Sequence, residues 1–135
     1  MAASGISVNN ECLEVYQALK LGKKMKYIIF NINSNNTEIV VDKKSESKEY
    51  DDFIADLPEL ECRWAVYDFE YKTDEGGIRN KLCFYMWSPD TAKIKNKMLF
   101  ASSKDALRKR LDGIAIEVQG TEFSEVAHEC SFGQG

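Results

Sequence analysis

The chain has 135 residues, of which 44% are hydrophobic and 30% are charged, and its formal net charge is −4. This length fits one domain that buries about two thirds of its unfolded surface, and the composition excludes a disordered or fibrous chain. No apolar run approaches the roughly 18 residues of a membrane span, the N-terminus lacks the pattern of a secretory signal, and the acidity argues against nucleic acid as a partner.

The first elements are predicted to be a helix and a hairpin. Asn9 or Asn10 can cap a helix whose apolar residues recur at i, i+3, i+4 and i+7, and Gly22 is a natural stop. Residues 25–32 then read as a strand, and residues 37–42 read as its partner across a polar turn.

The middle of the chain predicts the centre of the sheet. A short helix ends at Pro58, and residues 62–71 and 82–87 form the next two strands. The second of these is apolar on both faces, so helices are expected to cover each side of the sheet. Its side chains divide into two sets: Phe84 and Met86 on one face, Cys83, Tyr85 and Trp87 on the other.

The segment after Trp87 predicts a long basic helix over residues 90–111. Pro89 is placed in its first turn, and Asp90 is placed to favour the helix N-terminus. Residues 91–110 carry seven positive charges and one negative charge, so the rest of the acidic chain sums to −10. A basic stripe is expected to face an acidic surface and the apolar stripe beside it to pack on the core. The basic stripe contains Lys93, Lys97 and Lys104, and the apolar stripe contains Ile94, Met98 and Ala101.

The last elements complete one domain over residues 1–135. Residues 114–118 predict a strand, and Thr121 caps a final helix to about Glu129, followed by a short tail over residues 130–135. The predicted fold class is α/β (α+β), with a central mixed sheet of about five strands sandwiched by helices.

No pattern of catalytic or metal-binding residues stands out. The four cysteines show no C-x-x-C pair and no zinc spacing, and His128 is the only histidine. Asp68 and Glu70 have no nucleophile–base pair or phosphate loop beside them, which favours a structural role in the sheet. We therefore expect no catalytic residue, metal or cofactor, and a small cytosolic enzyme is the remote alternative.

The basic segment resembles the long actin-binding helix of the actin-depolymerising factor (ADF)/cofilin family. The matching motifs are Trp87-Ser88-Pro89-Asp90-Thr91-Ala92, Lys95-Asn96-Lys97-Met98 and Ala101-Ser102-Ser103-Lys104-Asp105. Further landmarks follow in family order: Ser4-Gly5, Leu19-Lys20-Leu21-Gly22, Thr37-Glu38-Ile39-Val40-Val41, Leu57-Pro58, Tyr67-Asp68-Phe69-Glu70 and Gly120-Thr121-Glu122-Phe123-Ser124-Glu125-Val126. The resemblance covers roughly residues 4–129 and implies a single ADF-homology domain.

The resemblance implies an actin-monomer site at Lys95, Lys97 and Met98. A run of lysines on a helix is ordinarily a solvated face, but the motif match and the local surplus of positive charge favour binding. Ser4 and Gly5 are implied to lie against the same actin groove, with Ser4 as a phosphorylation site. A phosphate there adds about two negative charges opposite an acidic partner and weakens binding.

The resemblance also implies a filament site at Arg79 and Lys81, which are two residues apart on a strand and point the same way. The alternative interpretation is that both side chains simply face solvent and have no binding role. Anionic phosphatidylinositol bisphosphate headgroups are expected to bind the basic surface of residues 95–110.

The function implied by the resemblance is that of a non-enzymatic, monomeric protein of the cytoplasm and the actin cytoskeleton, with a nuclear pool left open. It binds actin monomers and filaments, prefers ADP-actin, and promotes filament severing and depolymerisation. Relatives such as glia maturation factor, coactosin and twinfilin share the fold but debranch, protect or sequester. Because the tail over residues 130–135 is short and opposes helix continuation, monomer sequestering is the main alternative.

Overall fold

A computed structural model of the protein describes residues 6–22, 25–46, 50–72 and 74–120, and the structural statements below refer to those residues. This part of the chain contains six strands and three helices. They are β1 (Ser7–Val8), α1 (Asn10–Gly22), β2 (Tyr27–Ile32), β3 (Glu38–Ser45), α2 (Tyr50–Ala55), β4 (Arg63–Lys72), β5 (Ile78–Trp87), α3 (Ile94–Arg108) and β6 (Ile114–Gly120).

The six strands form one mixed sheet in the order β1-β3-β2-β4-β5-β6. The four central strands pair antiparallel, whereas the pairs at the two margins, β1 with β3 and β5 with β6, are parallel. A parallel pair needs a crossover, and α3 supplies the one between β5 and β6. The predicted mixed α/β sheet is confirmed; β1 adds a strand of only two residues, too short to show a period in the sequence.

The sheet is buried on both faces, as the apolar strand predicted. Phe84 and Met86 of β5 belong to the core cluster that also contains residues of α1 and α3. The second core cluster contains Cys83, Tyr85 and Trp87. In it, the centre of the Phe53 ring of α2 lies 5.0 Å from the centre of the Tyr85 ring. The predicted final helix lies outside the described residues.

The first helix begins and ends where the sequence predicts. Asn9 caps it, because its Oδ1 accepts a hydrogen bond of 2.8 Å from the N–H of Glu11, and its carbonyl accepts one of 3.0 Å from Cys12. The last helical residue is Gly22. Strand β5, in contrast, begins at residue 78 rather than 82, because its pairing with β4 continues through the polar residues of the hairpin.

The predicted start of the long helix at Asp90 is wrong. Helix α3 begins at Ile94, and Lys93 occupies the N-cap position with φ −67° and ψ 145° and no side-chain cap. The preceding residues form a turn instead: the N–H of Ala92 donates to the carbonyl of Pro89 at 3.0 Å. The hydroxyl of Thr91 donates to the carbonyl of Glu59, so this turn anchors the start of the helix to the loop before β4.

Candidate functional site

Helix α3 is fixed to the sheet along one face. Its buried residues are Phe100, Ser103 and Leu107. The centre of the Phe100 ring lies 4.3 Å from the centre of the Trp64 ring on β4. Near the start of the helix, the Oδ1 of Asn96 accepts a hydrogen bond of 2.8 Å from the backbone N–H of Cys62. Packing and this hydrogen bond together set the rotation of the helix about its axis.

The predicted apolar stripe faces solvent, and the expectation that it packs on the core is wrong. Ile94 is 73% exposed and Met98 is 65% exposed, and Ala101 is exposed as well. At about 100° per residue, Met98 lies roughly opposite the buried face. The face of the helix that contains Phe100 packs inward instead, because the Phe100 ring lies against Trp64. Two large apolar side chains are therefore left exposed on one side of α3, which is typical of a protein-binding face.

The two predicted lysines flank Met98. Lys95 lies about 60° to one side of it around the helix, and Lys97 lies about 100° to the other. Lys95 is exposed, whereas Lys97 is half-buried and its Nζ donates a hydrogen bond of 3.1 Å to the carbonyl of Asp90. The structure thus brings the three predicted residues of the monomer site together as one apolar side chain between two cations.

The C-terminal half of α3 differs from the predicted open basic stripe. The Nζ of Lys104 lies 3.0 Å from Oε1 of Glu117 on β6, and the Nε of Arg108 lies 3.2 Å from Oε2 of the same carboxylate. The hydrogen bond from Lys104, helped by the Arg108 charge, lowers the pKa of Glu117. In contrast, Lys93 and Lys95 form no ion pair with any described residue. Within the helix itself, the lysines without a carboxylate partner therefore lie near its start, whereas Lys109 and Arg110, which are also exposed, follow its end.

One exposed side chain beside the helix was not predicted from the sequence. Leu60 is 64% exposed, and it lies between Glu59 and Cys62, whose backbones are bonded to Thr91 and to Asn96 at the start of α3. Its neighbours in sequence are acidic, so no apolar pattern marks it. An exposed apolar side chain is therefore also present on the loop beside the start of α3.

The predicted filament residues lie near the start of β5. Lys81 is half-buried, and burial lowers the pKa of its ammonium group. The backbone of Arg79 pairs with that of Tyr71, while its side chain is outside the described part of the structure. Six residues of extended strand separate Lys81 from Trp87, which leads into α3, so the two candidate surfaces are about 20 Å apart along β5.

Ser4 and Gly5 lie outside the described residues. The chain enters the described fold at Ile6, which is 3% exposed, and β1 contacts α3. The residues that follow Ser4 and Gly5 are therefore packed near the candidate helix. His128 and the tail over residues 130–135 also lie outside the described residues.

The described residues contain no group of three His, Cys, Asp or Glu side chains that could hold a metal ion. Asp68 is buried, and its Oδ1 accepts a hydrogen bond of 3.0 Å from the Nδ2 of Asn80, which agrees with a structural role in the sheet. In the same part of the chain, no helix is long and apolar enough to cross a membrane.

These features define the class of protein: a small α/β domain that presents one face of a helix to a protein partner. Residues 5–131 match the family described as Cofilin/tropomyosin-type actin-binding protein. Cofilin of Mycosarcoma maydis is 62% identical over 127 residues, which cover 94% of this chain and 91% of that protein.

Solved structures show the same relationship. The crystal structure of Streptomyces griseoflavus cofilin matches this fold with a TM-score of 0.89 and a sequence identity of 62%, and the match covers 96% of each chain. That of Plasmodium berghei actin depolymerization factor 2 is 32% identical with a TM-score of 0.86, again over 96% of each chain. The chain therefore belongs to the ADF/cofilin family of actin-binding proteins and is not an enzyme.

Proposed function

We propose that this protein binds actin monomers and filaments, prefers ADP-actin, and promotes the severing and depolymerisation of filaments. The observation that carries the proposal is the position of Met98, 65% exposed on the side of α3 that faces away from the core and flanked by Lys95 and Lys97. A flexible apolar side chain between two cations suits a hydrophobic groove with an acidic rim.

Two features favour tight docking of this helix. Lys97 is already held by the carbonyl of Asp90, so it loses less side-chain freedom on binding than a fully mobile lysine. The helix itself is held by Phe100 and Asn96, so the partner meets a rigid surface. Lys95 is exposed at the rim, where a charge contributes more to the association rate than to affinity.

A second surface would explain an effect on filaments. Lys81, with Arg79 two residues before it, would contact the neighbouring subunit while α3 holds the first. The separation of about 20 Å along β5 supports a bridging role. If the protein binds the ADP state of the filament more tightly than other states, binding shifts the filament towards that state and weakens its contacts. The relative from Plasmodium berghei is itself named an actin depolymerization factor.

Two regulatory inputs are proposed with this function. Phosphate on Ser4 would place about two negative charges near the acidic partner and weaken binding. Phosphatidylinositol bisphosphate would compete with actin for α3, through the exposed cations at its two ends, Lys93 and Lys95 at the start and Lys109 and Arg110 after the end. We place the protein in the cytoplasm as a monomer.

High-speed co-sedimentation with actin filaments tests the proposal. Protein in the pellet together with extra actin in the supernatant is the expected result. Extra actin in the supernatant without pelleted protein would indicate a monomer sequesterer instead. No change in either fraction would contradict the proposal.

A further inference from the structure

The exposed apolar side chains of this protein are unevenly distributed. Among the residues that the structure describes, the large apolar side chains that are exposed are Leu21, Leu60, Ile94 and Met98. Ile94 and Met98 lie one turn apart on the outward side of α3, and Leu60 lies on the loop of residues 58–62, which precedes β4. One exposed leucine is ordinary on a protein surface, so the surroundings of Leu60 decide whether it has a role.

The loop of residues 58–62 is fixed to the segment that leads from β5 into α3. Three hydrogen bonds join the two segments, and they link Trp87 to Pro58, Thr91 to Glu59, and Asn96 to Cys62. Leu60 lies between the second and the third of these anchors. Its backbone is therefore held beside the start of the helix, and binding a partner costs the loop little conformational entropy.

Lys97 connects the outward side of α3 with this loop. It lies about 100° from Met98 around the helix, and its Nζ donates a hydrogen bond to the carbonyl of Asp90, in the turn that Thr91 ties to the loop. Burial raises the pKa of the Cys62 thiol, and the charge of Lys97 acts in the opposite direction, which places the ammonium group near Cys62. The loop therefore borders α3 on its Lys97 side, next to the predicted monomer site.

The charges of the loop indicate what kind of surface it can meet. The Oε1 of Glu61 lies 2.9 Å from the Nη1 of Arg63, whose side chain is 11% exposed, so this carboxylate is compensated. Glu59 is exposed and forms no ion pair with any described residue. An acidic surface would repel Glu59, whereas an apolar surface can receive Leu60. The loop thus suits an apolar patch, in contrast to the acidic rim that suits the lysines of α3.

We infer that Leu60 is an actin-binding residue, and that it contacts an apolar part of the actin surface next to the groove that receives α3. The inference rests on the proposed function, because it takes the outward side of α3 as the face that binds the actin monomer. It is carried by the hydrogen bonds that hold the loop against the helix start and by the exposure of Leu60, Ile94 and Met98. The monomer site thus consists of a helix and a loop from an earlier part of the chain.

The test compares Leu60→Ala with Leu21→Ala, a control that truncates the same type of side chain at a position that is 76% exposed. Leu21 lies at the end of α1, next to Lys20, which lines a pocket with Lys81 and Leu82 at the far end of β5. Affinity for ADP-actin monomers is measured by the fluorescence of labelled actin at several salt concentrations.

Leu60→Ala is expected to weaken monomer binding about three- to tenfold, while Leu21→Ala binds as the wild type does. The salt dependence of binding by Leu60→Ala should equal that of the wild type, because the lost contact is apolar. Leu60→Met keeps the approximate volume of the side chain and should bind within about twofold of the wild type. The thermal unfolding midpoints should agree, because both leucines are exposed.

The failures can be told apart. If Met98→Ala weakens monomer binding but Leu60→Ala binds as Leu21→Ala does, the inference about Leu60 is wrong and the proposed function stands. If Glu59→Gln changes the affinity and Leu60→Ala does not, the loop acts through its charge alone and the inference is again overturned. If the wild type does not bind actin monomers at all, both fall.

Discussion

The carboxylate of Glu117 on β6 lies 3.0 Å from the Nζ of Lys104 on α3, so the last described strand carries a counter-ion for the long basic helix. The same carboxylate accepts a hydrogen bond from Arg108. This pairing has two consequences: it fastens the C-terminal half of α3 to the sheet, and it neutralises part of the positive charge there. The N-terminal half, with Lys95 and Met98, remains open to a partner.

Removing this carboxylate should loosen the helix slightly. We expect Glu117→Gln to lower the free energy of unfolding by about 1 kcal/mol or less, because both ion pairs are partly exposed to solvent. Urea denaturation measures the change. Glu14→Gln alters an exposed glutamate of α1 that forms no ion pair with a described residue, and it should change the stability by less than about 0.5 kcal/mol. Equal effects of the two substitutions would contradict a special role for Glu117.

The contribution of Glu117 should also depend on pH. The cations lower its pKa in the folded state, so its stabilising effect is fully present above the unfolded pKa of about 4.3 and is lost as the pH falls through the lower folded value. The stability difference between the wild type and Glu117→Gln should therefore be constant from pH 7 to about 5.5 and shrink towards pH 3. Urea melts at each pH measure it, and a difference that grows on acidification would be the wrong sign.

The hydrogen bond of Asn96 should matter for the start of α3. Replacing Asn96 by Leu leaves the backbone N–H of Cys62 without its acceptor, which costs about 1–3 kcal/mol. Asn96→Asp keeps an acceptor oxygen and should be closer to the wild type. Urea denaturation of the three proteins decides the matter, and equal losses for Leu and Asp would show that packing, not the hydrogen bond, is the cause.

Substitutions at two positions of α3 should affect different properties, one the stability of the fold and the other actin binding. Phe100→Ala should lose about 3–5 kcal/mol, because it leaves a cavity against Trp64. Met98→Ala should change the stability by less than about 0.5 kcal/mol, because Met98 is 65% exposed, yet it should weaken actin binding. Denaturation and monomer titration of both variants make the comparison. A large stability loss in Met98→Ala would mean that the apolar stripe packs inward after all.

The sequence predicted those parts of the fold that depend on local pattern. Asn9 caps the first helix as expected, and the doubly apolar strand around Phe84 is an interior strand of the sheet, between β4 and β6. The rotation of α3 could not be predicted, because two tertiary contacts set it: the packing of Phe100 on Trp64 and the hydrogen bond between Asn96 and the backbone of Cys62. The ion-pair partner of Lys104 could not be predicted either, because Glu117 reaches it only through the crossover from α3 to β6.

The candidate site was likewise predictable where a sequence motif marks it and not where tertiary contacts form it. Lys95, Lys97 and Met98 were found through the family motif, and the structure shows how they are arranged around the helix. Leu60 carries no motif signal of its own, and only tertiary contacts place its loop beside the start of the helix.

The central claim is that the outward face of α3 binds actin. The most direct test is the affinity of Lys95→Ala/Lys97→Ala for fluorescent ADP-actin monomers, compared with Lys43→Ala/Lys44→Ala. The control removes the same charge from β3 and, among the described residues, breaks one ion pair, Lys43 with Asp56, in which the lysine side chain is 54% exposed. The account predicts a loss of about tenfold or more for the α3 variant, with the control near the wild type and unfolding midpoints unchanged. Equal affinity of the α3 variant and the wild type would contradict it.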